Sequence, residues 1–327
     1  MENSKPHSAG TNGGRTAARP PAAEAAIAAL LGILGGLLGL ATWLITGAQL
    51  PVQNLWGEET QPRDMPFALL PLSQYHATTI VALLTVGASA TGFALRALGP
   101  ARRGPALACA AAGLLLVHGG AAVQSFAALS SGLDPEPRSS IYVAGLLGGT
   151  IAAIAAGVMA LVLFASLSRP VVTLGVGLMA VPFSSWLAAA AAAFLGGPGG
   201  VPIFLTIVWH WLPAVLVGLA LAWCGFKPPA RLWVWAADLA LLWLVPALFT
   251  SVNYVLGTRA YLGNFSEMAM LSRDILAATL GPAGGAGPIV LLALGVGLVG
   301  ALSLALLERK NRRPEPALHG GGGGDQR

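Results

Sequence analysis

Eight stretches of this chain are predominantly apolar and long enough to cross a bilayer, and this feature limits the fold more than any other. The hydrocarbon core of a bilayer requires about 20 such residues per helix. The runs are continuous rather than alternating, which disfavours a β-barrel. They predict an all-α, polytopic integral membrane protein with about eight transmembrane helices. The windows are 25–47, 77–95, 106–128, 141–167, 171–195, 203–223, 232–256 and 287–307.

Composition excludes the main alternatives to a membrane protein. Charged residues make up 9% of the chain, against about 25% in soluble domains, and a soluble surface needs more charge than this. The only cysteines, Cys109 and Cys224, are too few for a disulfide scaffold or a thiolate metal cluster. The chain has no P-loop, His-Glu-x-x-His or Gly-x-Ser-x-Gly motif. No cofactor or metal is therefore predicted, and an enzyme is less favoured than a protein without catalytic activity.

Basic residues are divided unequally between the two sides of the predicted membrane. Fourteen of the 18 lysines and arginines fall on one side, and only Arg63, Arg138, Arg259 and Arg273 fall on the other. The positive-inside rule then predicts that both termini are cytoplasmic, and an even number of spans agrees. Abundant Arg, Ala and Gly are typical of a GC-rich bacterium, so we expect the bacterial plasma membrane. The lipid bilayer is the expected partner, and no basic stretch resembles a nucleic-acid-binding surface.

The spans form one predicted membrane domain, residues 25–308, between two polar tails. The tails, 1–24 and 309–327, are expected to be disordered and cytoplasmic. On the outer side, the loop 48–76 is longer than a simple connector needs, which is typical of functional or partner-binding loops. No internal repeat is predicted, because the polar residues of the third and seventh spans do not line up.

A second outer element is predicted to be an amphipathic helix over 264–280. Asn264 can cap such a helix, with Glu267 three residues later. The apolar residues that follow recur every three or four positions, as in helices that lie on a membrane surface. A short re-entrant segment over 275–288 is the alternative.

Small residues spaced four apart predict close packing between helices, because they let backbones approach one another. The instances are Gly32/Gly36, Gly35/Gly39, Gly145/Gly149 and Ala293/Gly297/Ala301.

Polar side chains within the spans are the best pointers to function, because they are costly in lipid. At 1.5 Å per residue, His118 and His210 fall at a similar level in the outer half of the membrane. Together with His76, Gln124 and Asn253 they form an expected polar layer, and Asp238 lies alone nearer the cytoplasmic side. The candidate substrate or proton site comprises His118, His210, Asp238, Gln124 and Asn253.

Several interpretations of these residues remain open. The histidines could be hydrogen-bonded structural groups, a proton or substrate site, or axial haem ligands. No His-x-x-x-His pair occurs, so metal binding has little support. Asp238 is either a hydrogen-bonded or interfacial carboxyl or one that exchanges protons during transport.

These observations fit functions of different classes. The first is a transporter or permease with a polar cavity between the third, sixth and seventh spans. The second is a non-transporting scaffold or subunit of a cell-envelope complex, which binds a protein partner through its outer loop and amphipathic helix. The third is an intramembrane enzyme for lipid-linked substrates, with an outer acidic site of Glu58, Glu59, Asp64 and His76.

Overall fold

The computed structural model describes residues 20–57, 60–258, 264–281 and 284–311, and this part of the chain is all-helical. Eight of its helices are long and apolar enough to span a membrane, which confirms the predicted number of spans. Most of both predicted tails lies outside the described residues. The helices are α1 (Pro21–Ile45), α2 (Ala77–Leu98), α3 (Arg103–Ser130), α4 (Pro137–Ala165), α5 (Arg169–Phe194), α6 (Ile203–Cys224), α7 (Arg231–Gly257), α8 (Phe265–Leu280) and α9 (Ala286–Asn311).

Local sequence explains where several helices begin and end. Proline occupies the first turn of α1, α4 and α5, where its missing N–H would have no partner in any case. α2 ends at Gly99, whose φ of 58° is left-handed and is adopted by glycine without strain. α3 is capped by another helix, since the Glu24 carboxylate accepts hydrogen bonds from the backbone nitrogens of Ala101 and Arg102 at 3.1 and 3.4 Å. Glu24, predicted to lie in the N-terminal tail, is therefore a buried residue of α1.

The helices form two halves, α1–α4 and α5, α6, α7 and α9, with the same order of packing. In each half the first helix packs against the second and third, and the second packs against the fourth. The prediction of no internal repeat is therefore wrong at the level of helix packing. The physical reason is that these contacts depend on small and apolar residues, whereas the prediction compared polar ones. We call the end where α1, α3, α5 and α7 begin the arginine end, and the opposite one the loop end.

Glycines bring α1 into backbone contact with its neighbours. A methyl group added at Gly87 of α2 would overlap the carbonyl oxygen of Gly35 and lie 3.0 Å from the Cα of Gly39. These contacts confirm the close packing predicted from the glycines of α1. Two helix backbones can attract each other by dispersion at this distance only where no side chain separates them. The same prediction for Gly145 and Gly149 of α4 is wrong, since an added methyl group would meet nothing within 4 Å at either position.

The α1–α2 loop, residues 46–76, folds back onto the loop end of the first half. The Gln124 side chain on α3 accepts a hydrogen bond from the Leu69 backbone nitrogen and donates one to the Phe67 carbonyl oxygen, both at 2.9 Å. Next to it, the Ser125 hydroxyl accepts from the Leu70 nitrogen at 2.7 Å. Leu70 and Leu72 are fully buried. The second part of this loop is therefore a component of the core.

At the arginine end, Trp223 of α6 joins the two halves. The guanidinium groups of Arg96 and Arg169 each lie 5.3 Å from the centre of its ring, within the range of cation–π attraction. Arg96 lies in the last turn of α2 and also donates a hydrogen bond to the carbonyl oxygen of Ser166, just after α4. One tryptophan thus connects the ends of α2, α5 and α6.

α8 covers the stretch predicted to be amphipathic and packs against α7. Asn264 caps it by accepting from the Glu267 backbone nitrogen at 3.4 Å. The hydroxyl oxygens of Ser251 on α7 and Ser272 on α8 are 2.9 Å apart. No residue of α8 is buried. Residues 282–283, within the alternative re-entrant segment, lie outside the described chain.

Candidate functional site

Asp238 lies in α7, about 10 Å along the helix from its beginning at the arginine end. Its side chain is fully buried and packs on Gly177 of α5, where a methyl group would lie 3.0 Å from the carboxyl carbon. Neither carboxyl oxygen has a hydrogen-bond partner among the described residues. Arg231, seven residues earlier, donates to the carbonyl oxygen of Cys224 instead. An ionised carboxylate without a partner is strongly disfavoured in such surroundings, so the neutral acid is the form that fits this packing.

A cavity of about 400 Å³, which we call the His210 cavity, lies between α5, α6, α7 and the beginning of α9. The ring of His210 lines it and makes an edge-on contact with Trp211, with 5.1 Å between ring centres. Pro213 and Pro246, which interrupt α6 and α7, also line it. Proline within a helix removes a backbone hydrogen bond, so the cavity lies where both helices are locally weakened. Further polar and aromatic lining residues are Ser184, Ser185, Thr250, Thr279, Trp209 and Trp243.

The His210 cavity and Asp238 share the interface between α5 and α7. Leu242 lines the cavity and lies four residues beyond Asp238 on α7, which corresponds to about 6 Å along the helix axis. On α5, Ser184 lines the cavity and lies seven residues beyond Gly177, or about 10 Å. The buried carboxyl is therefore about one helical turn from the cavity, on the side of the arginine end.

The other predicted site residues make separate contacts. Gln124 is occupied by its hydrogen bonds to the α1–α2 loop. Asn253 accepts a hydrogen bond from the Thr78 hydroxyl at 3.0 Å, which links α7 to α2. His76 lies beside Trp43, with 6.3 Å between ring centres.

The two histidines expected at one level lie in different halves. His118 is fully buried in α3, which packs against the helices of the first half, and His210 lines a cavity of the second half. α3 contributes no residue to the lining of the His210 cavity. This cavity therefore differs from the one expected between the third, sixth and seventh spans, because α5 and α9 take the place of α3.

The outer acidic site expected for an intramembrane enzyme is only partly covered by the described residues. Glu58 and Glu59 lie outside them. Asp64 is exposed and pairs with Arg63 at 3.8 Å, whereas His76 is half-buried against Trp43. The described part of the chain thus gives these two side chains different partners.

Substitution of His118 tests whether its fully buried imidazole has a hydrogen-bond partner. Neither ring nitrogen has a hydrogen-bond partner in the described part of the chain. An unsatisfied buried polar group costs about 1–3 kcal/mol. We expect His118→Leu to raise the midpoint of thermal unfolding in detergent by about 2 °C or more, and His118→Asn to lower it. A lower midpoint for His118→Leu would mean that the imidazole has a partner.

A second and larger cavity was not expected from the sequence. It measures about 860 Å³, lies between α2, α4 and α7 towards the loop end, and is lined in part by Gly145 and Gly149; we call it the Gly145 cavity. The run of glycines in α4 is the sequence feature that corresponds to this cavity. The spacing of glycines is the same, however, whether they line a cavity or contact another helix.

Within the described ranges, no three His, Cys, Asp or Glu side chains come together as a metal site. The chemistry that the polar side chains of these apolar helices themselves offer is hydrogen bonding and proton exchange. The chain matches no family model, no curated protein and no solved structure.

Proposed function

We propose that this chain is an integral protein of a bacterial plasma membrane, with both termini cytoplasmic, that couples the movement of protons to transport of a small polar molecule. The observation that carries the proposal is Asp238, a fully buried carboxyl without a hydrogen-bond partner among the described residues. Ionisable groups at such positions are costly and are typical of proton relays in transporters. The unequal distribution of basic residues supports the orientation.

The His210 cavity is the proposed substrate site. Its volume of about 400 Å³ falls within the range of about 300–1,000 Å³ for small-molecule pockets. Serine and threonine hydroxyls and the imidazole of His210 can exchange hydrogen bonds with a polar substrate. The faces of Trp209 and Trp243 add apolar contact and exclude water.

In the proposed cycle, Asp238 is neutral while α5 and α7 are packed at Gly177. Separation of the two helices would admit water to the carboxyl and allow its proton to leave towards the arginine end. The resulting carboxylate must regain a proton before the interface closes, because burial of an unpaired charge is strongly disfavoured. Protonation of Asp238 would thus be tied to the closed arrangement of the His210 cavity.

The test is uptake into proteoliposomes driven by a pH gradient, with a panel of radiolabelled amino acids, small organic cations and sugars. We expect wild-type protein to accumulate at least one of them above the level of protein-free liposomes. Asp238→Asn keeps the shape of the side chain but cannot release a proton, and should reduce this uptake by about 100-fold, the lower end of what proton-transferring groups contribute.

The matched control is Asp274→Asn, the same change at an exposed carboxyl of α8, which should leave uptake unchanged. Uptake by the Asp238→Asn variant at the wild-type level would contradict the proposed role of Asp238 in proton exchange. If no compound of the panel enters above the protein-free level, the transport proposal fails.

The second candidate function is the scaffold of a cell-envelope complex. One observation favours it: α8 has no buried residue, and its Phe265 and Met270 are 75% and 53% exposed, so an apolar surface is available to a protein partner. The folded second part of the α1–α2 loop contributes little to such a surface, because Leu70 and Leu72 are buried. A scaffold would leave every compound of the panel at the protein-free level.

A further inference from the structure

The Gly145 cavity extends over a large part of the bundle from the loop end. Arg138 and Thr150 of α4 both line it, and twelve residues of helix separate them, which corresponds to about 18 Å. The hydrocarbon core of a bilayer is about 30 Å thick. The cavity is therefore somewhat longer than the depth of one leaflet.

The cavity opens sideways between the two halves. α4 and α7 both pack against α2 but make no extensive contact with one another. Apolar side chains at its edges are exposed, with Ile141 of α4 55% exposed and Leu248 of α7 43% exposed. In a bilayer these edges would face acyl chains, so a lipid could enter without passing through water.

Apart from Thr150, whose hydroxyl donates to the Leu146 carbonyl oxygen, the polar groups of the cavity lie at its loop end. Gln74 lines the cavity, but its amide nitrogen is buried without accessible surface and is out of reach of a ligand. Arg138 also lines the cavity and takes part in no ion pair of the described chain, where Arg63 and Asp64 form the pair that is present. An accessible guanidinium without an ion-pair partner favours a ligand group that accepts hydrogen bonds and carries negative charge.

The deeper wall of the cavity is apolar and leaves open space beside two glycines. Gly145 and Gly149 both line the cavity, and a methyl group at either position would meet no atom within 4 Å. Ile80, Val81 and Leu248 complete this part with apolar side chains. The combination of a polar, cationic end and an apolar groove about one leaflet deep matches an amphiphile with an anionic head.

We infer that the Gly145 cavity binds one anionic phospholipid of the surrounding bilayer. Its head group accepts hydrogen bonds from Arg138, and an acyl chain lies along Gly145 and Gly149. This inference does not rest on the proposed transport function, because it uses a different cavity, and lipid binding can hold even if no compound is transported.

The experiment is native mass spectrometry of the full chain in mild detergent, titrated separately with phosphatidylglycerol and with zwitterionic phosphatidylcholine. We expect one molecule of phosphatidylglycerol to bind at least about tenfold more tightly than phosphatidylcholine. The double variant Gly145→Leu/Gly149→Leu fills the groove and should weaken phosphatidylglycerol binding by about tenfold or more. Arg138→Gln should remove the preference for the anionic lipid.

The control is Gly148→Leu, a glycine of the same helix that also has open space around it but does not line the cavity; it should bind like wild type. Equal binding of the two lipids by wild type would overturn the inference, as would wild-type affinity in the double variant. Arg138 is exposed, so Arg138→Gln tests the head-group contact even if the double variant does not fold. Unchanged lipid preference in Arg138→Gln would equally count against the inference.

Discussion

Gly87→Ala should destabilise the protein strongly, because it places a methyl group between the backbones of α1 and α2. The added group would overlap the carbonyl oxygen of Gly35 and lie 3.0 Å from the Cα and nitrogen of Gly39. These obstacles are backbone atoms, so no side chain can move to relieve them, and α1 and α2 must separate. Overpacking costs about 1–3 kcal/mol, and we expect the upper end here. The midpoint of thermal unfolding should fall by about 5 °C or more.

Gly120→Ala is the matched control for this prediction. Gly120 is also in a helix, α3, but a methyl group there would meet nothing within 4 Å. Alanine favours a helix over glycine by about 1 kcal/mol, so the midpoint should stay constant or rise. Equal effects of the two substitutions would show that α1 and α2 are not in backbone contact.

Gln124→Ala should release the second part of the α1–α2 loop from the first half. The side-chain amide acts like a peptide group, because it accepts from the Leu69 nitrogen and donates to the Phe67 oxygen. Its loss leaves two backbone groups without partners, at about 1–3 kcal/mol for each group that stays buried. Hydrogen–deuterium exchange should therefore accelerate at Leu69 and its neighbours, and the unfolding midpoint should fall.

The loop contains its own control for this substitution. Gln61 is exposed, so Gln61→Ala changes the same residue type without removing a contact between the loop and α3. We expect its exchange rates at Leu69 to equal those of wild type. Unchanged exchange in Gln124→Ala would mean that Ser125, which accepts from the Leu70 nitrogen, and the buried leucines hold the loop without the amide.

The length and position of the spans can be predicted because a continuous apolar run records helix length directly. Height along a helix can be estimated in the same way, and this estimate puts His118 and His210 at one level. The direction in which each side chain points around its helix, and the neighbours of that helix, depend on packing between distant segments. That is why the sequence alone does not separate the two histidines into different halves.

The candidate site can be predicted only in part. Asp238 stands out because a carboxyl inside an apolar span is costly, but its contact with Gly177 depends on how α5 meets α7. Gln124 and Asn253 are candidates for the same reason, yet their amides bond to Phe67, Leu69 and Thr78. A polar residue in an apolar helix requires a hydrogen-bond partner, but the sequence alone does not show whether that partner belongs to the protein or to a substrate.

The position of Trp223 has a consequence for movement. The indole contacts both Arg96 of one half and Arg169 of the other, whereas at the opposite end a void beside Gly145 separates α4 from α7 and the Thr78–Asn253 hydrogen bond joins α2 to α7. Rotation of one half against the other about this aromatic pivot would displace the far end most. A molecule wedged between α4 and α7 would thus set the angle between the two halves.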